Sequence, residues 1–191
     1  VTVFLSKEGY FKKFTAVALR SSGEQKYKEG DELFISLESS NKSELIFITD
    51  RQQAYKVRIN DFTDTGKAST LGLFLPTALG MDEGESIIYM LDPKDFNADL
   101  LIMFDNGKAA RVSLKSFETK TNRKKLINAY SDLAKPVAFF KLTEETDIVC
   151  ISDDGRTLVF STALLQTKTT RNTAGVAVMN LKKNCRMVSA V

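Results

Sequence analysis

Four stretches of this chain follow one plan: an apolar strand, a tight turn, then a second strand with a basic residue at a fixed place. They are residues 3–14, 45–57, 101–112 and 149–160. Aligning Leu5, Ile48, Met103 and Ile151 superposes the turns without gaps. The same alignment puts Lys13, Lys56 and Arg111 at one position, where the fourth copy has Val159. The copies lie about 43 to 55 residues apart, a period at which repeated supersecondary units build propellers or arrays. A unit of this size cannot bury its apolar face alone and has to stack on neighbours. A repeated cation on a repeated hairpin implies a surface that meets a repeated anion, and a nucleic-acid backbone is such an anion.

The segments between the hairpins repeat as well. Each has a polar or basic stretch, a short apolar strand, a turn and another strand. The turns Lys28-Glu29-Gly30-Asp31 and Asp82-Glu83-Gly84-Glu85 sit at matching places, and Lys183-Asn184-Cys185 is a worn version of them. Asp105-Asn106-Gly107 and Asp153-Asp154-Gly155 predict tight type I′ hairpins, because Asn or Asp before Gly accepts positive φ. Gln52-Gln53 lacks the glycine, so that turn is either longer or strained. Segment 120–133 reads as a short helix or as a strand with an irregular loop. Each repeat then supplies about four strands, the size of one propeller blade. The expected fold is all-β, with repeats at about 1–43, 44–98, 99–146 and 147–191 in a single domain.

Charge is segregated along the chain. Residues 108–125 hold Lys108, Arg111, Lys115, Lys120, Arg123, Lys124 and Lys125 against Glu118 alone, and no acid follows Arg156. Residues 82–99 are acidic. A net charge of +3 can therefore still include a basic face. With no histidine, His-based triads, His general bases and His metal ligands are excluded. Cys150 and Cys185 are not at metal-ligand spacing, Cys150 lies in an apolar strand, and two cysteines fit a reducing cytoplasm. No apolar run reaches membrane-spanning length. Val1 is not an initiator methionine, so the chain is expected to be a fragment of a longer one.

Three features resemble a known family, the C-terminal domain of the A subunit of bacterial type IIA topoisomerases (DNA gyrase and topoisomerase IV). The most specific is Arg171-Asn172-Thr173-Ala174-Gly175-Val176-Ala177-Val178-Met179-Asn180-Leu181, similar to the family's Arg-Asn-Thr-x-Gly-Val stretch. The second is Ser6-Lys7-Glu8-Gly9-Tyr10-Phe11-Lys12-Lys13-Phe14, similar to its Gly-Tyr hairpin, and the third is the repeat itself. The resemblance implies a β-pinwheel of about four four-stranded blades, as a closed ring or an open spiral, with duplex DNA bent around a basic outer rim. It implies no catalytic residue and no cofactor in this fragment. ATP and Mg²⁺ would be used by a parent enzyme of the bacterial cytoplasm. Its other parts would be the remainder of the A subunit, plus the ATPase B subunit. The Gly- and Arg-rich box of gyrase is absent. Arg20-Ser21-Ser22-Gly23-Glu24-Gln25-Lys26 is the nearest stretch, so either the box lies upstream or the chain is of the topoisomerase IV type.

On this reading the DNA-contacting residues are Lys12, Lys13, Lys56, Arg58, Lys108, Arg111, Arg123, Lys124, Lys125, Arg156 and Arg171. Arg156 and Arg171 stand in for the cation missing at Val159. Lysines on exposed strands also serve solubility; recurrence of one position in three repeats is what favours phosphate contact. The alternative function is a propeller-type protein-interaction platform without DNA binding. An enzyme is poorly supported, since Asp153-Asp154 is explained by its turn and no Gly-rich phosphate loop or metal-ligand cluster appears.

Overall fold

The computed structural model describes residues 1–120 and 124–191. The chain forms two compact units, one of residues 1–94 with 123–127, the other of residues 95–122 with 128–191. Among the described residues, fifteen strands, all paired antiparallel, build four sheets, three of four strands and one of three.

In the first unit, β1 (Thr2–Ser6) and β2 (Tyr10–Phe14) make the first hairpin, followed by a short helix α1 (Ala16–Ser21) capped by the Thr15 hydroxyl. β3 (Leu33–Glu38) returns beside β1. The second hairpin is β4 (Glu44–Thr49) with β5 (Ala54–Arg58). Next come the two-residue strand β6 (Leu73–Phe74), a single helical turn α2 (Leu75–Ala78) and β7 (Ile87–Leu91). The sheet orders are β3-β1-β2-β6 and, with β10 (Lys125–Leu126), β10-β5-β4-β7. In the second unit, β8 (Asp99–Phe104) and β9 (Lys108–Ser113) join β11 (Pro136–Leu142) and β14 (Val176–Ala177) in the order β11-β8-β9-β14. β12 (Asp147–Ser152), β13 (Thr157–Ser161) and β15 (Met187–Ala190) form the three-stranded sheet β13-β12-β15.

The sheet orders show that the repeats exchange strands. β6, β10 and β14 each come from the repeat after the hairpin they extend. Segment 120–133 thus resolves as a strand, Lys125–Leu126, with irregular chain after it; Thr121–Arg123 lie outside the described residues. Two of the exchanged strands open on a glycine that nothing else could replace at that place. Gly72 is at φ +95° with its Cβ position 2.4 Å from the Phe11 carbonyl oxygen, and Gly175 is at φ +84° with its Cβ position 2.6 Å from that of Ala109.

The hairpin turns differ from the expected type I′. The Gly9, Gly107 and Gly155 N–H groups donate to the carbonyls of Ser6, Phe104 and Ser152. Only the glycine of each turn is left-handed, while Asn106 and Asp154 are not. This is a type I turn closed by a glycine bulge, which suits a three-residue loop. Gln52 stands where the glycine would be and takes φ +55°, so of the two options at Gln52-Gln53 the turn is strained. The worn turn also keeps its geometry: Asn184 at φ +65° takes the place of Gly30 and Gly84, and the Cys185 N–H donates to the Lys182 carbonyl as Asp31 does to Lys28 and Glu85 to Asp82. The aspartates that open the turns clamp the third strand. Asp50, Asp105 and Asp153 accept from the N–H groups of Ser86, Lys135 and Arg186.

Each unit has its own core between two sheets. In the first, Val3, Leu5 and Phe11 pack with Leu45, Phe47 and Met90, with Phe62 closing one end. The Phe11 and Phe62 rings lie 4.3 Å apart, and Phe11 meets Phe47 edge-on at 5.9 Å. In the second, Leu101, Met103 and Ala109 pack with Ile148, Cys150 and Phe160. Val3, Leu5 and Phe11 match Leu101, Met103 and Ala109, and Leu45 and Phe47 match Ile148 and Cys150, but the two sets are one residue out of step, so the paired hairpins of each core turn opposite strand faces inward. Burying each large side chain contributes roughly 1.5–3 kcal/mol.

Candidate nucleic-acid interface

The repeated basic position is built into the protein and not onto its surface. Lys13 is 3% exposed. Its ammonium group donates to Asn41 Oδ1 and the Ile59 carbonyl, each at 3.2 Å, and sits 3.2 Å from Asp64. Arg111 spreads its guanidinium over four acceptors: Nε to Asp99 at 2.8 Å, Nη1 and Nη2 to the two oxygens of Glu145 at 3.0 and 2.8 Å, and Nη1 to the Thr162 carbonyl at 2.9 Å. Ile59 and Thr162 are equivalent in the repeat, each opening a 3-10 turn after a hairpin. In both units the cation of the first hairpin is therefore a clasp on the turn of the second. Lys56, 8% exposed, lies 3.7 Å from Glu44, and that pair corresponds to Arg111 with Asp99. Bonds to Glu145, then to Asp99, hold the guanidinium charged and push its pKa further up, while the same bond holds Glu145 below the usual carboxylate range.

Lys12, on the opposite face of β2, is 2% exposed and caged by Gln25 Oε1 at 3.2 Å and the carbonyls of Lys26 and Ala68 at 2.8 and 3.0 Å. Its ammonium group also lies 5.5 Å from the centre of the Tyr27 ring, and burial lowers its pKa. The expectation that these basic residues face outward is thus corrected for Lys12, Lys13, Lys56 and Arg111. Strand alternation says which residues share a face, but not that a second sheet closes over it.

The other predicted residues are distributed as follows. Arg58 is exposed and pairs with Asp61 at 3.3 Å. Lys108 is half-buried beside the third turn, and Arg123 lies outside the described residues. Lys124, just before the exchanged strand, and Lys125, within it, are exposed beside β5, with the Lys125 ammonium group 5.8 Å from the Tyr55 ring centre. Arg156 is exposed and donates to the Asn180 carbonyl at 2.8 Å. Arg171 is half-buried. It donates to the Ser116 carbonyl at 2.7 Å and lies 5.7 Å from the Phe117 ring centre, which ties the segment before β14 to the preceding repeat. The Arg171-to-Leu181 motif therefore docks an exchanged strand.

Tracing the exchanged strands joins Lys124 and Lys125, already among the predicted residues, to four cations that set lacks, Lys67, Lys115, Lys120 and Lys168. The chain leading into each exchanged strand carries exposed cations: Lys67 before β6; Lys115, Lys120, Lys124 and Lys125 before or within β10; Lys168 before β14. The basic run 108–125 carries this signal in the sequence, but assigning the fourth strand of each blade to its own repeat hides it.

Asp153, Asp154 and Cys185 place their ligand atoms within 4.8 Å of one another. Asp153 holds the Arg186 N–H and Asp154 is bonded to Ser152, so the turn accounts for both carboxylates. Among the described residues no helix is long and apolar enough to cross a membrane.

A family described as "DNA gyrase C-terminal domain, beta-propeller" matches residues 2–34, 43–92 and 146–190, more than half of the chain. The chain belongs to this gyrase C-terminal domain family. Similar proteins include the DNA gyrase A subunit of Thermotoga maritima, 28% identical over 131 residues, covering 65% of this chain and 16% of that protein. The DNA gyrase A subunit of Borrelia hermsii is 24% identical over 200 residues, covering 100% of this chain and 24% of that protein. The DNA topoisomerase 4 A subunit of Staphylococcus aureus is 24% identical over 187 residues, covering 95% and 23%. The chain thus spans about a quarter or less of the length of these relatives. Among solved structures, the C-terminal domain of DNA topoisomerase IV shares the fold at a TM-score of 0.85 and 23% identity, covering 100% of this chain and 60% of that one. The DNA gyrase A C-terminal domain does so at 0.66 and 20%, covering 99% and 63%. In the gyrase C-terminal domain fold, then, the repeated hairpin cation of this chain is an internal clasp.

Proposed function

We propose that this chain binds and bends duplex DNA without sequence specificity, as the non-catalytic C-terminal domain of a type IIA topoisomerase A subunit. The parent enzyme would combine it with an ATPase subunit, ATP and Mg²⁺. Besides family membership, one observation supports this reading. Exposed cations recur on the chain entering each exchanged edge strand, Lys67, then Lys115, Lys120, Lys124 and Lys125, then Lys168, while Lys13, Lys56 and Arg111 of the hairpins are bound internally. Phosphates recur along a duplex, so cations spaced over successive repeats match them without a pocket. Sequence preference then reduces to how readily the DNA bends.

The test is binding to a duplex of about 40 base pairs across a salt series. Replacing Lys124 and Lys125 together by Glu is expected to lower affinity and flatten the salt slope by about two units, one per lost phosphate contact. Binding that is absent at low salt, or a slope unchanged in this variant while it stays folded, refutes the reading.

A further inference from the structure

One connection recurs in both units with different length and opposite chemistry. In each unit the chain leaves the strand added to the first hairpin, passes through a turn and enters the third strand of the next sheet. In the second unit the connection is residues 178–181, and it lies on the hairpin turn: the Met179 carbonyl stands where a Gly107 Cβ would be. In the first unit it is residues 75–81, and the added length forms α2. A groove of about 790 Å³ lies there, between the first hairpin turn, α2 and the turn 82–85. That volume falls in the range of ligand sites, roughly 300–1,000 Å³.

Both walls of the groove are held from within the unit. The Leu75 N–H donates to the Gly9 carbonyl at 2.9 Å, and the Pro76 ring packs on Gly9, 3.1 Å from the place of its Cβ. The acidic turn is tied down by Glu85, whose carboxylate accepts from the Thr49 hydroxyl at 2.6 Å, the Tyr55 hydroxyl at 2.9 Å and the Asp82 N–H at 3.0 Å. Glu85 is thereby buried, while Asp82 and Glu83 stay exposed on the rim. On the hairpin side the Tyr10 and Phe74 rings lie 5.0 Å apart, and Phe74 is 38% exposed. The lining cations are Lys28 and Lys7, the latter paired with Glu32, against Glu8, Asp82, Glu83 and Glu85. At the equivalent places the second unit has Lys108 for Tyr10, Ala177 for Phe74, and Lys182 and Lys183 for Asp82 and Glu83. The turn accepts either charge, so its geometry does not require the acids.

We propose that this groove docks a partner protein through an extended segment that presents an arginine between aliphatic residues. The Tyr10 and Phe74 rings offer π faces to a guanidinium, and Asp82 and Glu83 offer the carboxylates that its planar fork meets best. Aliphatic neighbours of the arginine cover Pro76 and the exposed part of Phe74. The excess of acid repels phosphate, so the occupant is not the duplex proposed for the exposed cations, and the inference stands apart from DNA binding. Walls already held in place keep the ordering cost of docking low. The equivalent surface of the second unit, basic and without the aromatic pair, rejects the same segment.

The test titrates the isotope-labelled chain with the end-blocked peptide Ala-Leu-Arg-Leu-Ala and reads amide shifts. Shifts centred on residues 8–10, 74–77 and 81–86 are expected, half-saturated at about 1 mM or below, the range of a short segment. A peptide with citrulline for the arginine keeps the shape without the charge and should bind about tenfold more weakly. Asp82→Lys with Glu83→Lys copies the turn of the fourth repeat, so the fold is kept, and it should abolish binding. Phe74→Ala copies Ala177 and should weaken binding about two- to fivefold. No shifts, equal binding of the citrulline peptide, or equal shifts at residues 182–186 would each overturn the inference. Spermidine bound at the same residues as tightly as the peptide would identify a free polycation as the occupant. Chain dimers broken by the double lysine variant would identify a second copy. Either result overturns the proposal as well.

Discussion

Arg111→Met separates a structural clasp from a phosphate contact. Methionine keeps much of the apolar stem and removes every donor. The loss is that of a guanidinium bonded to Asp99, to both oxygens of Glu145 and to the Thr162 carbonyl. Asp99 matters most, because its side chain is only 17% exposed and is left facing a partly desolvated gap, whereas Glu145 is about half exposed and recovers water. Breaking a buried pair from one side costs about 3–5 kcal/mol. Discounting for the exposed half of the network gives about 3 kcal/mol, or a fall in Tm of about 6–12 °C for a chain of this size. The assay is guanidinium unfolding followed in the second unit, paired with DNA binding at matched fraction folded. The expected result is a lower unfolding midpoint with an unchanged salt slope. A stability loss below about 0.5 kcal/mol, as at ordinary surface sites, together with a slope reduced by about one, would refute the clasp and restore Arg111 to the phosphate track.

Gln52→Gly should raise stability by about 0.5–1 kcal/mol, the left-handed strain relieved less the entropy cost of glycine, measured by chemical denaturation. A destabilised variant would show that the glutamine side chain outweighs the strain. Gly175→Ala meets both a left-handed φ and a carbonyl 2.6 Å from its Cβ. A loss of about 2–4 kcal/mol and earlier amide exchange in β9 are expected, and wild-type stability would mean β14 shifts freely. For pH, Glu145 is held below its usual range by Arg111 and then Thr162. Its contribution is therefore complete above the unfolded carboxylate value and is lost as pH falls through its lowered folded value. Glu145→Gln should flatten the acid limb of the stability profile, and an unaltered limb would remove Glu145 from the network.

The local elements were legible in the sequence because turns and caps are short-range chemistry. The places of the glycine turns and of the worn turn at Asn184 follow from a few adjacent residues, whereas the type I form of the turns and the strain at Gln52 emerge only from the backbone. The alignment of Lys13, Lys56 and Arg111 was legible too, and the strand registers reproduce it without a gap. Periodicity and repeats also predicted the all-β class, but not which face of each hairpin enters the core, since paired hairpins turn opposite faces inward.

The direction of those cations was decided by tertiary structure. Lys13 is met by Asn41, Ile59 and Asp64, and Arg111 by Glu145 and Thr162, groups 28 to 51 residues away. A lysine on a strand reads as exposed until a second sheet covers it, and nothing local records which carbonyls that sheet brings. The same holds for the exchanged strands. Gly72 and Gly175 look like loop glycines until they are seen against the backbone of an earlier hairpin. The sequence by itself determined the repeat and the places of its turns. Packing between repeats decided which cations are bound internally and which stay exposed.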